Sequence, residues 1–269
     1  MTTVLEPLAP VSMATTFRAL LLRDMFVLRK NLKEFIPRTI LQPLMLVFVF
    51  TYVFPKIGQG VGGNSAEFST MLVAGVLGSV ILFQGIQAVA LPLVQEFGYT
   101  REIEDRVLAP LPVELIAIEK VLSGALQCLL AALIVFPIAR FVPATPVNVT
   151  FNWPVLITFT LLACVTSSSL GLMFGTFFDP RTIPLLFGII VVPLTFLGCI
   201  YFPWQSLDAI PWLKYAVLLN PLVYISEGFR AALTPVPHMS LWIVYPVLMS
   251  LTAFFLWRGV RAFTKRVLT

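Results

Sequence analysis

The chain alternates long apolar runs with short polar segments, and this alternation constrains its fold more than any other feature. A helix that crosses the hydrocarbon core of a bilayer needs about 20 predominantly apolar residues. Six runs of about that length are present, at residues 35–55, 68–95, 116–141, 153–178, 182–201 and 240–257. The sequence therefore predicts an all-α integral membrane protein with six transmembrane helices.

Composition supports that class and limits what else the chain can contain. Hydrophobic residues make up 58% of the chain and charged residues 12%, whereas a soluble domain has about 25% charged residues. Because the predicted spans use most of the 269 residues, no soluble domain of ordinary size fits beside them. We expect one transmembrane domain over residues 1–269, and any energy source must lie on another subunit.

Motifs for catalysis or nucleotide binding are absent or lack their structural context. No G-x-x-x-x-G-K-[ST] loop occurs, and the G-x-G-x-x-G match at 58–63 follows a membrane span rather than a strand. Cys128, Cys164 and Cys199 lie in apolar runs without metal-site spacing, and His238 has no second ligand nearby. We expect no catalytic residue, no metal site and no cofactor bound by this chain.

The lysines and arginines determine the predicted orientation. With the N-terminus inside, fourteen of the eighteen lie on the cytoplasmic side: Arg18, Arg23, Arg29, Lys30, Lys33, Arg38, Arg101, Arg106, Lys120, Arg181, Arg258, Arg261, Lys265 and Arg266. The other four, Lys56, Arg140, Lys214 and Arg230, lie outside. The positive-inside rule therefore favours cytoplasmic N- and C-termini.

Residues 15–34 have the pattern of an amphipathic helix. On a helical wheel the basic residues Arg18, Arg23, Arg29, Lys30 and Lys33 share one arc, and apolar residues fill the opposite side. Asp24, Leu22 and Phe26 are exceptions to the pattern. It predicts a helix in the membrane interface with its basic face toward anionic headgroups. A juxtamembrane helix that only orients the protein is compatible with the same pattern.

Residues 96–115 form a charged segment between two apolar runs. Between Glu96 and Arg106 it has six charged residues: Glu96, Arg101, Glu102, Glu104, Asp105 and Arg106. Thr100 is a possible cap for a short helix, and Pro110 and Pro112 cannot continue that helix because proline lacks the N–H group. Two interpretations remain open from the residues alone: a solvated connection, or a rigid contact surface on the cytoplasmic side.

Residues 202–239 are too polar and too rich in proline for a simple span, although they contain many aromatic residues. We predict that 202–233 folds back into the outer leaflet as a re-entrant helical hairpin at the exit of a transport path. Its gate residues would be Asn220, Pro221, Tyr224, Glu227 and Arg230, with Glu227 and Arg230 close enough to pair. The alternative is an ordinary outer loop whose aromatic side chains sit at the interface.

Polar and small residues inside the spans give weaker signals. Ser167, Gly171 and Gly175 recur every four residues, which favours close helix packing. Gln84 and Gln87 could hydrogen-bond across helices or line a polar cavity, and the sequence does not separate these options. No ionisable residue lies convincingly at mid-depth, which disfavours a proton- or ion-coupled transporter.

Three segments carry a family resemblance. REIEDRVLAPLP at 101–112, PLTFLGCIYFP at 193–203 and LNPLVYISEGFR at 219–230 resemble blocks of type-two ATP-binding-cassette (ABC) permeases. That family includes nodulation-factor and daunorubicin permeases and polysaccharide exporters. The resemblance extends to the amphipathic start and the six-span layout, and it is specific for the family rather than for a substrate.

The resemblance implies the transmembrane subunit of an ATP-driven exporter in the cytoplasmic membrane of a bacterium. Its cargo would be amphipathic, lipid-linked, glycan or drug-like. The expected partners are membrane lipids, a second copy or sister permease, and separate ABC ATPase subunits that bind ATP and Mg. In such exporters the first cytoplasmic loop contains the coupling helix that contacts the ATPase. The resemblance implies that the coupling residues of this chain are Arg101, Glu102, Glu104, Asp105, Arg106 and Leu108. The alternative function is an ATP-independent membrane scaffold or a lipid-modifying membrane protein.

Overall fold

The computed structural model describes residues 12–57, 65–100, 102–143, 147–178 and 187–268, and every regular element within these ranges is a helix. The α-helices used below are α1 Met13–Lys30, α2 Leu32–Phe48, α3 Ser65–Gln95, α4 Glu102–Val107, α5 Val113–Phe141, α6 Trp153–Phe177, α7 Val192–Phe196, α8 Pro211–Ala216, α9 Pro221–Leu233 and α10 Leu241–Leu268. A π-helix, Val49–Val53, and a short turn, Phe54–Lys56, extend α2; a second π-helix, Glu96–Thr100, follows α3, and a third, Phe187–Val191, precedes α7.

Five stretches among the described residues are long and apolar enough to cross a membrane: Leu32–Val53, Glu67–Gly98, Val113–Ile138, Trp153–Phe177 and Leu241–Leu268. They correspond to five of the six predicted spans. The remaining run, 182–201, begins outside the described residues, and its described part contains only the third π-helix and α7. The all-helical membrane class is confirmed, and the count of six stays a prediction.

The predicted interface helix at 15–34 is divided between two helices. α1 ends at Lys30, where the Asn31 N–H donates to the carbonyls of Val27 and Leu28 at 3.1 Å each. Lys33 therefore belongs to α2. Apolar side chains on α1 remain exposed, Leu22 at 64% and Phe26 at 55%. These two residues, exceptions to the wheel pattern, present apolar surface outward, as a helix in contact with lipid would require.

α3 is the central helix, and small residues allow it to approach α6 closely. A Cβ atom added at Gly171 would lie 2.7 Å from the Gly85 carbonyl oxygen, and one at Gly85 would lie 2.4 Å from the Ser167 Cβ. At Gly175 the added atom would lie 3.0–3.1 Å from Leu93 and Ala90. The three small residues of α6 therefore face α3 within the same subunit.

Residues 202–239, which we call the outer segment after their predicted side of the membrane, are helical along most of their length. The segment contains the 3₁₀ turns Trp204–Ala209 and Val217–Leu219 as well as α8 and α9. α9 is buried along almost its whole length, and Gly228 leaves room for the ring of Phe159, which meets Phe229 edge-on with ring centroids 5.2 Å apart. Helical structure is thus present where the hairpin was predicted, while its insertion into the outer leaflet stays a prediction.

α10 continues eleven residues beyond the predicted span end at 257, to Leu268. Its Arg266 Nη1 donates to the carbonyls of Thr176 at 3.2 Å and Phe178 at 3.0 Å, at the end of α6. A cation suits this position because the last carbonyls of a helix have no partner within it. This contact attaches the C-terminal helix to the end of α6.

Candidate functional site

The short helix α4 lies in the segment predicted to contact an ATPase. It follows the π-helix Glu96–Thr100 and ends before Pro110 and Pro112, as the sequence predicted. Ile103 is buried on its inner side in an apolar cluster with residues of α5. Phe17 of α1 packs against the same cluster. α4 is therefore attached to α1 and α5 by an apolar face.

The outward side of α4 differs from its inner side. Asp105 is exposed, Leu108 just beyond the helix is 83% exposed, and Glu102 pairs with Arg23 of α1 at 2.9 Å. Arg101 lies outside the described residues, and Glu104 belongs to α4 but its side chain lies outside the described part. The described outward surface thus carries two carboxylates and one large apolar side chain.

Arg106, the last charged residue of α4, is not on this outward surface. It is only 5% exposed, and its Nη2 lies 2.7 Å from Asp24 Oδ1 of α1 and 3.4 Å from Glu96 Oε1. Its Nη1 lies 3.5 Å from Glu119 Oε2 of α5. Its guanidinium is therefore occupied by three carboxylates of its own chain, and the predicted role of Arg106 in coupling to an ATPase stays a prediction.

Lys120 completes this buried group, which we call the inner ionic cluster: Asp24, Glu96, Arg106, Glu119 and Lys120. The Lys120 Nζ lies 2.5 Å from Glu96 Oε1 and 3.5 Å from Asp24 Oδ2. Each cation contacts more than one carboxylate. The cluster therefore connects α1, the π-helix after α3, α4 and α5 through shared charges.

The inner ionic cluster has three carboxylates and two cations, and part of its hydrogen-bonding capacity is unused. Glu96 Oε2, Glu119 Oε1 and Arg106 Nε are buried without a partner among the described residues. Burial by itself would lower the pKa of Arg106, but the carboxylates of Glu96, Asp24 and Glu119 together raise that pKa above its ordinary value. Arg106 is therefore held in its charged form.

The predicted gate residues come together in the outer segment. Asn220 caps α9, since its side-chain oxygen accepts from the Leu222 N–H at 2.9 Å and its Nδ2 donates to the Leu194 carbonyl at 2.7 Å. Pro221 occupies the first position of α9, which proline favours. The Tyr224 hydroxyl donates to the Leu218 carbonyl at 2.9 Å. These contacts fix where α9 begins.

Glu227 and Arg230 form a fully buried pair, which we call the outer clamp. Both side chains are 0% exposed, and Arg230 Nη1 donates to Glu227 Oε1 at 2.5 Å. Glu227 also accepts from the backbone N–H groups of Trp204 at 2.8 Å and Met239 at 2.7 Å. Arg230 Nη2 donates to the Cys199 carbonyl at 2.9 Å. The pair therefore joins α9 to three separate pieces of backbone.

A cavity of about 560 Å³ lies beside the inner ionic cluster, between the α1–α2 pair and helices α3 and α5. Gln84 and Gln87 line it, and Gln87 also takes part in a hydrogen bond between helices, so the two options left open by the sequence both apply to Gln87. Arg38 of α2 also lines it and donates to Gln87 Oε1. The volume lies in the range of about 300–1,000 Å³ found for small-molecule sites.

Comparison with known proteins shows the family of the chain. The family model described as ABC-2 type transporter matches residues 15–234, which is most of the chain. The chain belongs to the ABC-2 type transporter family. The protein is therefore a membrane-embedded transport permease subunit.

Individual relatives of this ABC-2 permease are more distant. The chain is 26% identical over 227 residues to the inner membrane transport permease YadH of Escherichia coli K12, covering 81% of this chain and 85% of the relative. YadH of Escherichia coli O157:H7 and of Shigella flexneri match with the same identity and coverage. Together with the apolar helices, these relatives support a multi-pass inner membrane protein.

The sequence missed four members of the inner ionic cluster as functional residues of this permease: Asp24, Glu96, Glu119 and Lys120. Glu96 was noted only as part of the charged segment, and signals for the other three were present. Asp24 is an acidic exception on an otherwise basic and apolar α1, and Glu119 and Lys120 lie inside the stretch Val113–Ile138, which is otherwise suited to lipid. Charges within such a stretch are costly unless they have partners, and the partners of these three come from distant parts of the chain.

Proposed function

We propose that this ABC-2 permease is the membrane subunit of an ATP-driven exporter that moves an amphipathic substrate out of the cytoplasm or the inner leaflet. The observation that carries the proposal is the two-sided construction of α4. Its outward side presents Asp105 and Leu108, while its last turn is tied through Arg106 to α1 and α5. A force applied at the outward side would reach the membrane helices through these ion pairs.

In this proposal a separate ABC ATPase binds ATP and Mg in the cytoplasm and docks on Glu102, Asp105 and Leu108, with Arg101 and Glu104 beside them. Two permease subunits, identical or sister chains, enclose the transport path. Residues 202–233 form the re-entrant outer hairpin that acts as the exit gate. The outer clamp supports this assignment because it makes the segment move as one body.

Affinity purification of the tagged permease from its native membranes tests the docking surface. The wild-type chain should retain an ABC ATPase, and the double variant Asp105→Lys, Leu108→Asp should lose it while remaining inserted and folded. A charge reversal at an interface leaves groups unpaired and places like charges together, which weakens association. Asp208→Lys is the matched control, since Asp208 is 72% exposed in the outer segment.

Retention of the ATPase by the double variant at the wild-type level would reject docking at α4. Loss of the ATPase from the Asp208→Lys control as well would mean that charge reversal at any exposed site disturbs the protein. That result would also reject the assignment of α4 as the docking surface.

The proposed orientation places both termini and α4 in the cytoplasm. Single cysteines at Gly98 and Asn148, two exposed positions, test it with a membrane-impermeant thiol reagent on intact cells. Asn148→Cys should react and Gly98→Cys should react only after the cells are opened. The native cysteines Cys128, Cys164 and Cys199 are buried, and the chain without an added cysteine controls for them. Reaction of Gly98→Cys in intact cells would reverse the orientation.

A further inference from the structure

The cavity between the α1–α2 pair and helices α3 and α5 contains charges of both signs, and most of them are already paired. Arg23 pairs with Glu102, and Arg106 and Lys120 pair with the carboxylates of the inner ionic cluster. Two lining residues of α2, Glu34 and Arg38, form no ion pair with any other described residue. The cavity therefore offers one available carboxylate and one available guanidinium.

Arg38 lies among groups that suit an anion. It belongs to the candidate span Leu32–Val53, and an ionisable residue in such a segment points to a functional site. Gln84 and Gln87 line the cavity beside it, and Gln87 accepts from the Arg38 guanidinium. Thr39, 6% exposed, lines the same cavity, and its hydroxyl is buried without a partner among the described residues. Guanidinium, amide and hydroxyl groups are donors for a phosphate or carboxylate.

Glu34 lies one helical turn before Arg38, which corresponds to about 6 Å along the axis at a rise of about 1.5 Å per residue. Carboxylate and guanidinium four residues apart can pair on a helix, yet in this structure they do not approach within ion-pair distance. With the N-terminus in the cytoplasm, Glu34 would lie nearer the water and Arg38 deeper. A phospholipid of the inner leaflet whose phosphate bears an amine has the complementary charges in the same order. Its amine lies nearer the water, at the depth of Glu34, and its phosphate lies nearer the acyl chains, at the depth of Arg38.

We propose that this cavity binds the headgroup of a zwitterionic phosphate-bearing amphiphile, with the phosphate at Arg38 and the amine at Glu34. The inference deepens the proposed function, on which it rests for the cytoplasmic N-terminus and for the interpretation of the bound amphiphile as cargo. Binding of the headgroup requires no ATPase, so a result that rejects ATPase docking at α4 would not reject this binding site. Failure of headgroup binding would likewise leave ATPase docking intact.

Titration of the purified full-length permease in detergent tests the site, with binding followed by native mass spectrometry. The probes are short-chain phosphatidylethanolamine, phosphatidylglycerol, diacylglycerol and inorganic phosphate. Wild type should bind phosphatidylethanolamine most tightly. Arg38→Gln should weaken that binding roughly tenfold, because a charge-assisted contact to phosphate is lost. Glu34→Gln should weaken it less and should shift the preference toward phosphatidylglycerol, whose headgroup has no amine.

Arg261→Gln is the matched control, because Arg261 is exposed on α10 and does not line the cavity. It should bind every probe within about twofold of wild type, as expected for a remote surface substitution. Equal binding of phosphatidylethanolamine by wild type and Arg38→Gln would overturn the proposal. So would equal binding of phosphatidylethanolamine and diacylglycerol, and so would inorganic phosphate binding as tightly as the lipid. An unchanged headgroup preference in Glu34→Gln would overturn the place given to the amine.

Discussion

The inner ionic cluster and the outer clamp are both buried groups of charges, but they are built differently. The outer clamp has one carboxylate and one guanidinium, and both oxygens of Glu227 accept hydrogen bonds, including two from backbone N–H groups. The inner cluster shares two cations among three carboxylates and leaves two of their oxygens without a partner. Arg230 Nε is also buried without a partner among the described residues. Each charge of the clamp has one ionic partner, whereas each cation of the inner cluster contacts more than one carboxylate.

This difference suits the two positions in the proposed transport cycle. A segment that acts as a gate must keep its internal shape while it moves, and a clamp on backbone groups at Cys199, Trp204 and Met239 would preserve that shape. A connection between α4 and the membrane helices must transmit movement without breaking. Shared cations allow small displacements in which one ion pair lengthens and another shortens.

The largest expected effect is the loss of the outer clamp. Glu227→Ala leaves the buried Arg230 without its carboxylate and two backbone N–H groups without an acceptor. Removal of one partner from a buried ion pair costs about 3–5 kcal/mol. We expect a loss of folding free energy of that size in detergent denaturation and impaired export. Glu114→Ala, at an exposed glutamate of α5, is the control and should have a folding free energy near that of wild type. Equal stability of Glu227→Ala and Glu114→Ala would contradict a stabilising role of the outer clamp.

A smaller effect is expected from removing one cation of the inner cluster. Lys120→Ala leaves Arg106 in contact with Asp24, Glu96 and Glu119, so the loss should be about 2 kcal/mol, the size of a hydrogen bond to a charged group and below that of Glu227→Ala. The same denaturation measurement applies, with Arg18→Ala at an exposed position of α1 as control. A loss equal to or greater than that of Glu227→Ala would show that the inner cations are not shared as described.

The smallest effect is expected at the exposed pair of Arg23 and Glu102, whose side chains are 47% and 44% exposed. A double-mutant cycle with alanine at both positions should give a coupling energy of about 0–1 kcal/mol, which decreases further at high salt. Repeating the cycle for Asp24 and Arg106 should give a larger and less salt-sensitive value, because that pair is mostly buried. Equal coupling energies would remove the distinction between surface and cluster charges.

Local patterns in the sequence were sufficient for most of the fold. Apolar run length placed five spans near their observed positions, and Pro110 and Pro112 marked the end of α4. The spacing of Glu227 and Arg230 was enough to anticipate their pairing, because both lie on one helix. The proline-rich outer segment was likewise recognised as helical.

The inner ionic cluster could not be predicted because Asp24 is far from the other members in the chain, and the other four belong to three different helices. Arg106 and Asp24 are 82 residues apart, and their contact depends on how α1 packs against α5. A pattern within one helix holds no information about that packing. The same reason explains why Arg106 was assigned to the outward surface, since a charged residue in a short loop usually faces solvent.

The most direct test of the account follows the outer segment through the ATP cycle. Leu219, 88% exposed, is a better label position than the buried Tyr224, and a single spin label there in each permease subunit reports their separation. The side chain of Gln205 donates a hydrogen bond to the backbone carbonyl of His238. A pair of labels at these two positions reports the internal shape of the segment. We predict that the Leu219 distance differs between nucleotide-free and ATP-trapped complexes while the Gln205–His238 distance stays constant. An unchanged Leu219 distance in complexes that hydrolyse ATP and export would contradict the account.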